Sequence, residues 1–196
     1  MGKKRDADGN IHSYGNGYVY LIGSELFSRD PGKYEIINRC ISGNRIVDLY
    51  VRVKVDAWNE ELDCLSILIG VNDVWYVLSE RPNGVALDRL EKVYRMLIED
   101  TMKRLPNTRI ILCEPFILQG TATNERYSQF MQVYNYASVA KKLAQEYGID
   151  FVSLQAVFDE KAKIYGAMHY LHDGVHPHIA SEKLIATEWL KVFDCS

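Results

Sequence analysis

Short, almost uninterrupted apolar runs separated by longer amphipathic ones decide what this chain can fold into. The run from Leu65 to Ile69 and the run from Ile110 to Cys113 carry next to no polar alternation. A strand built from such a run must be covered on both faces, which is the condition of a parallel sheet flanked by helices. Four segments are read as strands on this basis: Tyr34 to Asn38, Cys64 to Ile69, Thr108 to Cys113 and Ile149 to Ser153. Between them the apolar period lengthens to that of a helix. Val85 to Leu105 places Leu87, Leu90, Val93, Leu97 and Ile98 on one stripe, and Glu125 to Tyr147 does so with Phe130, Val133, Tyr134, Ala137, Ala140 and Ala144. Gly17 to Ser28, Asn44 to Asn59 and His178 to Phe193 complete the helices, and Gly148 is placed to stop the one before it. Strand–helix alternation with right-handed crossovers predicts an α/β fold, a doubly wound, flavodoxin-like parallel sheet. With 196 residues and no linker or repeat, residues 1–196 are expected to form one domain.

Composition narrows the partners. A net charge of −3 argues against nucleic acid or an anionic membrane as the main partner. The basic cluster Lys3-Lys4-Arg5 is diluted at once by Asp6 and Asp8 and reads as a solvated loop. No apolar run reaches the length of a membrane span, and the first residues lead into polar sequence rather than a signal-peptide core. The four cysteines, Cys40, Cys64, Cys113 and Cys195, have no metal or redox spacing, so a reducing, cytoplasmic setting is expected.

In a doubly wound sheet the working groups sit in loops just after the strands. After Tyr34–Asn38 come Ser42-Gly43-Asn44, where Gly43 can present a backbone N–H to an anionic oxygen at the start of a helix. Taken alone, this is more simply a helix-starting turn. After Leu65–Ile69 come Asn72 and Asp73; the neutral, directional amide of Asn72 suits an oxyanion donor, although Asn-Asp alone reads first as a turn. Glu114-Pro115-Phe116 follows the next strand. Asp173-Gly174-Val175-His176-Pro177 then puts a carboxylate three residues before an imidazole, the spacing with which one side chain orients a general base. His169, His172, His176 and His178 fall close together and raise zinc as an alternative, but Gly174 and Pro177 disfavour the continuous helix that would align them.

The order of these loops is more telling than any one of them. The stretch Ile41 to Leu49, the stretch Ile69 to Trp75 and the stretch Asp173 to Pro177 resemble the second, third and fifth blocks of the SGNH, or GDSL, hydrolases, a family of serine esterases. The likeness extends through Gly17 to Leu26, Ile37 to Asn44 and Leu65 to Trp75, so it spans nearly the whole chain, and it is nearest to the acetylxylan esterase-like branch. The resemblance implies that Gly43 donates its N–H and Asn72 its amide to an oxyanion, that His176 is the general base, and that Asp173 fixes its tautomer. It implies a small ester or acetylated carbohydrate as substrate, no cofactor and no metal, and it admits a homo-oligomer. Trp75 and Tyr76, directly after the third block, are expected to line the pocket.

One block is missing. The family's nucleophilic serine belongs to a Gly-Asp-Ser turn at the end of the first strand, and the chain instead opens on a polar, glycine-dotted stretch that runs straight into a helix. Met1-Gly2-Lys3 fits the last positions of that first motif, so the chain is expected to lack its first strand, to begin just past the nucleophile, and to be inactive by itself. Ser13, Ser42 and Cys40 are poorer candidates for the attacking group. A non-catalytic ligand- or carbohydrate-binding protein is the competing expectation.

Overall fold

The computed structural model describes residues 14–195. Ser13, the Lys3-Lys4-Arg5 cluster and the Met1-Gly2-Lys3 match lie outside the described residues. The expected parallel sheet is present. Strands β1 (Cys64–Leu68), β2 (Arg109–Cys113) and β3 (Asp150–Val152) lie in the order β1-β2-β3, all parallel. The register pairs Leu68 with Cys113 and Cys113 with Val152, so the strands end level and their following loops share one edge.

Both faces of the sheet are covered, as the apolar runs require. On one face Leu65, Ile67, Ile110, Leu112 and Phe151 meet α2 (Ile46–Val53), α4 (Leu87–Arg104) and α6 (Val133–Tyr147). On the other, Cys64, Leu68, Ile111, Cys113 and Val152 meet α1 (Tyr18–Arg29), α7 (Gln155–Tyr165), α8 (Ala167–Tyr170) and α9 (Ile179–Asp194). Ile111 and Leu112, adjacent in sequence and pointing to opposite cores, are both fully buried. Burying each contributes about 1.5–3 kcal/mol.

Two polar devices hold the second layer in place. Glu114, at the end of β2, accepts the backbone N–H groups of Leu154 (2.6 Å) and Gln155 (2.9 Å), capping α7 from another element. Arg109 binds Asp150 on β3 at 2.6 Å and donates to the carbonyls of Phe193 and Val192 at 2.8 Å each, fixing the end of α9 to the sheet. Helices α1 and α9 are joined at both ends: Tyr18 N–H donates to Glu182, and Arg29 forks onto Asp194.

The structure departs from the sequence reading in several places. Tyr34–Asn38 has no regular secondary structure and joins no ladder among the described residues. Its apolar side chains find burial by other means: Ile36 packs where Gly23 of α1 lacks a side chain, and Tyr34 meets Phe193 edge-on. Apolar composition reports burial, not pairing. The helix expected over Glu125–Tyr147 is broken into a 3₁₀ turn (Asn124–Arg126), α5 (Tyr127–Phe130) and α6, and α2 ends in a wider π turn over Lys54–Trp58. Helix α7 was not expected at all. Its start rests on Glu114, which no local pattern announces.

Candidate active site

The loop after Tyr34–Asn38 turns on Gly43, whose φ of +82° is left-handed and favours glycine. No backbone group among the described residues accepts its N–H. The turn is fixed on its downstream side by Arg45, which donates through both Nε and Nη2 to Asp48 at 2.8 Å, and the Arg45 side-chain bonds hold the Asp48 carboxyl below its ordinary range. Asn44 in turn receives Arg52 Nε at 2.8 Å.

Helix α3 (Val71–Trp75) starts immediately after β1 and brings Asn72 to this loop. Asn72 Nδ2 donates to the carbonyl of Asn44 at 3.1 Å, leaving the amide's second proton for another acceptor. Asp73, the next residue, is fully buried and accepts the N–H of Ile46 at 3.1 and 3.3 Å. Burial pushes its carboxyl up to about 7, against the pull of the Ile46 N–H and the Arg45 charge. Two struts thus tie α3 to the turn that carries Gly43, one to Asn44 and one to Ile46 at the start of α2. Tyr76 lies over the same turn: a methyl placed on Gly43 would stand 2.8 Å from the phenol oxygen.

The Asp173–His176 loop arrives from the other layer, between α8 and α9. Asp173 Oδ1 accepts the N–H groups of Val175 (2.9 Å) and His176 (2.8 Å), while Oδ2 meets His176 Nδ1 at 2.6 Å. Partial burial raises the Asp173 carboxyl, but the hydrogen bonds from the His176 ring, the His176 N–H and the Val175 N–H together outweigh it and leave it below its ordinary value. With Nδ1 occupied, Nε2 is the ring nitrogen left to take a proton. The imidazole side chain is 66% exposed, so that nitrogen is reachable.

Trp75 connects the two halves of the site. Its ring meets the His176 ring at 6.3 Å between centroids and packs edge-on against Phe130 at 5.3 Å. Asn72, Gly43, Tyr76, Trp75, His176 and Asp173 therefore gather at one end of the sheet, just past the carboxyl ends of the strands. The other histidines of the cluster are engaged elsewhere, His172 through its carbonyl, which accepts the Thr121 N–H. His169 packs edge-on against Tyr170, and the backbone of His178 donates to Tyr170. Among the described residues no group of three or more His, Cys, Asp or Glu side chains converges as metal ligands. Cys40 is an unsuitable nucleophile: although the residue is exposed as a whole, burial of its sulfur raises its thiol against the opposing pull of the Tyr18 hydrogen bond and the Arg52 charge, which keeps it protonated. The sequence reading passed over Asp73 as a strut, and it missed the segment that grips Asp173 from behind. For Asp73 the only available signal was a charged residue directly after Asn72 at the end of an apolar strand.

Comparison with known proteins bears on what the arrangement is for. The profile of the GDSL-like lipase/acylhydrolase family matches residues 7–182. An acetylxylan esterase of Geobacillus stearothermophilus is 32% identical over 190 residues, covering 95% of this chain and 84% of that protein. The crystal structure of a catalytic mutant of a Geobacillus stearothermophilus acetylxylan esterase, with an aspartate changed to alanine, superposes with a TM-score of 0.85 at 31% identity, over 97% of this chain and 87% of that one. A Parabacteroides merdae protein assigned as a GDSL-like lipase superposes with a TM-score of 0.88 at 34% identity, over 100% of this chain and 90% of that one.

Proposed function

Since the chain belongs to the GDSL-like lipase/acylhydrolase family, we propose that its site serves ester hydrolysis on acetylated sugars by Ser-His-Asp chemistry. The observation that carries this reading is the 2.6 Å contact between Asp173 Oδ2 and His176 Nδ1, set beside the Gly43–Asn72 pair. Asp173 holds the imidazole with Nε2 outward and stabilises the imidazolium once it forms. A serine hydroxyl would give its proton to His176 Nε2 as its oxygen attacks the acyl carbon. The negative charge on the former carbonyl oxygen would then be met by the Gly43 N–H and the free Asn72 amide proton. Collapse of that intermediate expels the alcohol, which takes the proton from His176, and a water activated by the same nitrogen releases the acid. Trp75 and Tyr76 form the wall nearest the acyl group.

The acetylxylan esterase relatives support acetylated sugars as the substrate class, and Trp75 and Tyr76 offer flat faces on which a sugar ring can stack. The serine is the component this reading must add, because the 196 residues contain no Gly-Asp-Ser triplet. The chain by itself is therefore proposed to bind such esters without turning them over. The competing reading is a carbohydrate-binding protein that uses the pocket without the chemistry.

The test compares the chain as it stands with a form extended ahead of Met1 by an apolar strand ending in Gly-Asp-Ser. Acetate release from acetylated xylo-oligosaccharides is measured for both. Turnover by the extended form, abolished by His176→Ala, is expected, with negligible turnover by the unextended chain. An extended form that folds and stays inactive, or whose activity survives His176→Ala, refutes the esterase assignment and leaves the binding reading.

A further inference from the structure

The Asp173–His176 pair is not held by its own loop alone. The segment after β2, residues 118–123, runs back to back with residues 172–174 and is stitched to them by three backbone hydrogen bonds. Leu118 N–H donates to Gly174 at 2.9 Å, Thr121 N–H to His172 at 3.0 Å and Ala122 N–H to Asp173 at 3.1 Å. Two glycines let the backbones approach this closely. A methyl group on Gly120 would overlap the backbone nitrogen of Gly174, and one on Gly174 would overlap Thr123 Oγ1 and the Leu118 carbonyl oxygen. Gly174 also has a φ of +94°, so its place in the seam is closed to side chains on two counts.

Thr123 is the internal brace of the gripping segment. It is fully buried, and its hydroxyl donates to the carbonyl of Leu118 and accepts the N–H of Gly120, both at 2.9 Å. Leu118 is one of the residues bonded to Gly174, and Gly120 lies directly against the backbone of Asp173 and Gly174. One hydroxyl thus sets the curvature of the segment against which the Asp173 backbone rests. We infer that Thr123 is a positioning residue for the hydrolase dyad: its hydroxyl shapes residues 118–123 into the mould that aims the Asp173 carboxylate at His176 Nδ1. This rests on the dyad reading above and adds to it a residue that touches neither the substrate nor the reacting atoms.

The carboxylate leaves little tolerance. Asp173 serves three donors at once, the N–H groups of Val175 and His176 and the ring Nδ1. A rotation of its backbone that keeps the two N–H contacts on Oδ1 swings Oδ2 away from the ring. Loss of the Thr123 hydroxyl leaves the Leu118 carbonyl and the Gly120 N–H without their buried partner, and the segment must rearrange to satisfy them. A mould that relaxes in this way releases Oδ2 first, since the ring contact is the one made through a rotatable side chain.

The experiment uses the chain as it exists and needs no turnover. Proton NMR at low temperature reads the His176 Nδ1–H, identified by its loss in His176→Ala, and carbon-detected titration reads the Asp173 carboxyl. In Thr123→Val the low-field Nδ1–H resonance is expected to disappear and the Asp173 titration to move upward toward the ordinary carboxylate range, with the amide spectrum still dispersed. Thr123→Ser, which keeps the hydroxyl, is expected to restore both. Thr101→Val removes another buried threonine hydroxyl, one bonded to Leu97 and Trp58. That variant tests general loosening and is expected to leave both signals in place. A Thr123→Val protein that keeps the resonance and the depressed titration, or a Thr101→Val protein that loses them equally, overturns the inference while leaving the dyad standing. A parent chain with no such resonance and an ordinary Asp173 titration overturns the dyad reading and this inference with it.

Discussion

Asp73→Asn separates the charge of the buried strut from its shape. The Asp73 carboxyl ordinarily titrates near 3.8, and burial moves it to about 7 in the folded chain. The groups around it are the Ile46 N–H and the Arg45 guanidinium, which favour the anion, and Asp48, which opposes it. The phenols of Tyr94 and Tyr136 face it too; both are raised chiefly by their own burial and further by the Asp73 charge. The sign follows from proton counting. Between those two values the folded chain keeps a proton that the unfolded chain has released, so stability falls as pH rises through the window and is flat above it. Each pH unit is worth about 1.4 kcal/mol, so roughly three units cost about 4 kcal/mol by neutral pH. The amide introduced by the substitution would keep an oxygen for the Ile46 N–H and cannot ionise. Urea unfolding of both proteins from pH 4 to pH 8, with slopes shown to be equal, reads the difference directly. The two are expected to differ by a gap in stability that changes, from about pH 4 to about pH 8, by about 4 kcal/mol in favour of the variant. With an m-value of about 2 kcal/mol/M this is a relative midpoint shift of roughly 2 M urea. Every other titrating group is common to both proteins and cancels. Parallel stability curves across the range would refute the buried-charge argument.

Further outcomes follow from the same geometry. Asn72→Ala, placed in the Gly-Asp-Ser-extended form, is expected to lower kcat on an acetyl ester about 100- to 1000-fold with KM little changed, as for one lost oxyanion donor; steady-state kinetics with unaltered kcat would remove Asn72 from that role. Leu112→Ala empties a fully buried position in the middle strand and is expected to cost about 2–5 kcal/mol in urea unfolding, with ester or sugar binding unchanged wherever the variant is folded. A cost below about 1 kcal/mol would mean that β2 is not the central, two-sided strand described.

The sheet and its main helices were legible because their signals are local. Ile110 to Cys113 is a short, Ile/Leu-rich run whose length and lack of alternation suit a strand buried on both faces, and Leu90, Leu97 and Ile98 form a stripe that needs no knowledge of what covers it. Tyr34–Asn38 was misread because its apolar residues are buried by packing on α1 and Phe193, a condition that does not call for a ladder partner. Helix α7 escaped notice because its inner face is little more than Phe158 and the amide of Gln155, and because its N-terminal N–H groups are satisfied by Glu114, far earlier in the chain. At the site, Asp173 and His176 are three residues apart, so their contact could be read from spacing. The neighbourhood of Gly43 and Asn72 was legible only through the likeness to a family, since nothing in either loop names the other. The grip of Gly120 and Thr123 on Asp173 joins segments distant in sequence through backbone atoms, and a sequence carries no mark of such a contact beyond the glycines that permit it.

The joining of α1 to α9 has a consequence for how the chain acquires its structure. Helix α1 is made before the three described strands and α9 after them, yet each supplies what the other lacks: Glu182 satisfies the Tyr18 N–H, and Arg29 and Asp194 lock the far ends. During synthesis, then, Ile22 and Leu26 can meet the sheet but lack the α9 part of their cover until that helix has emerged, whereas the α2–α4–α6 face is complete once α6 is made. The two layers mature in sequence, and the loop carrying His176 belongs to the later one. A ribosome-bound chain stopped before α9 would hold a finished Gly43–Asn72 corner and an unclosed second layer, a state exposed to chaperones and proteases for the last part of its translation.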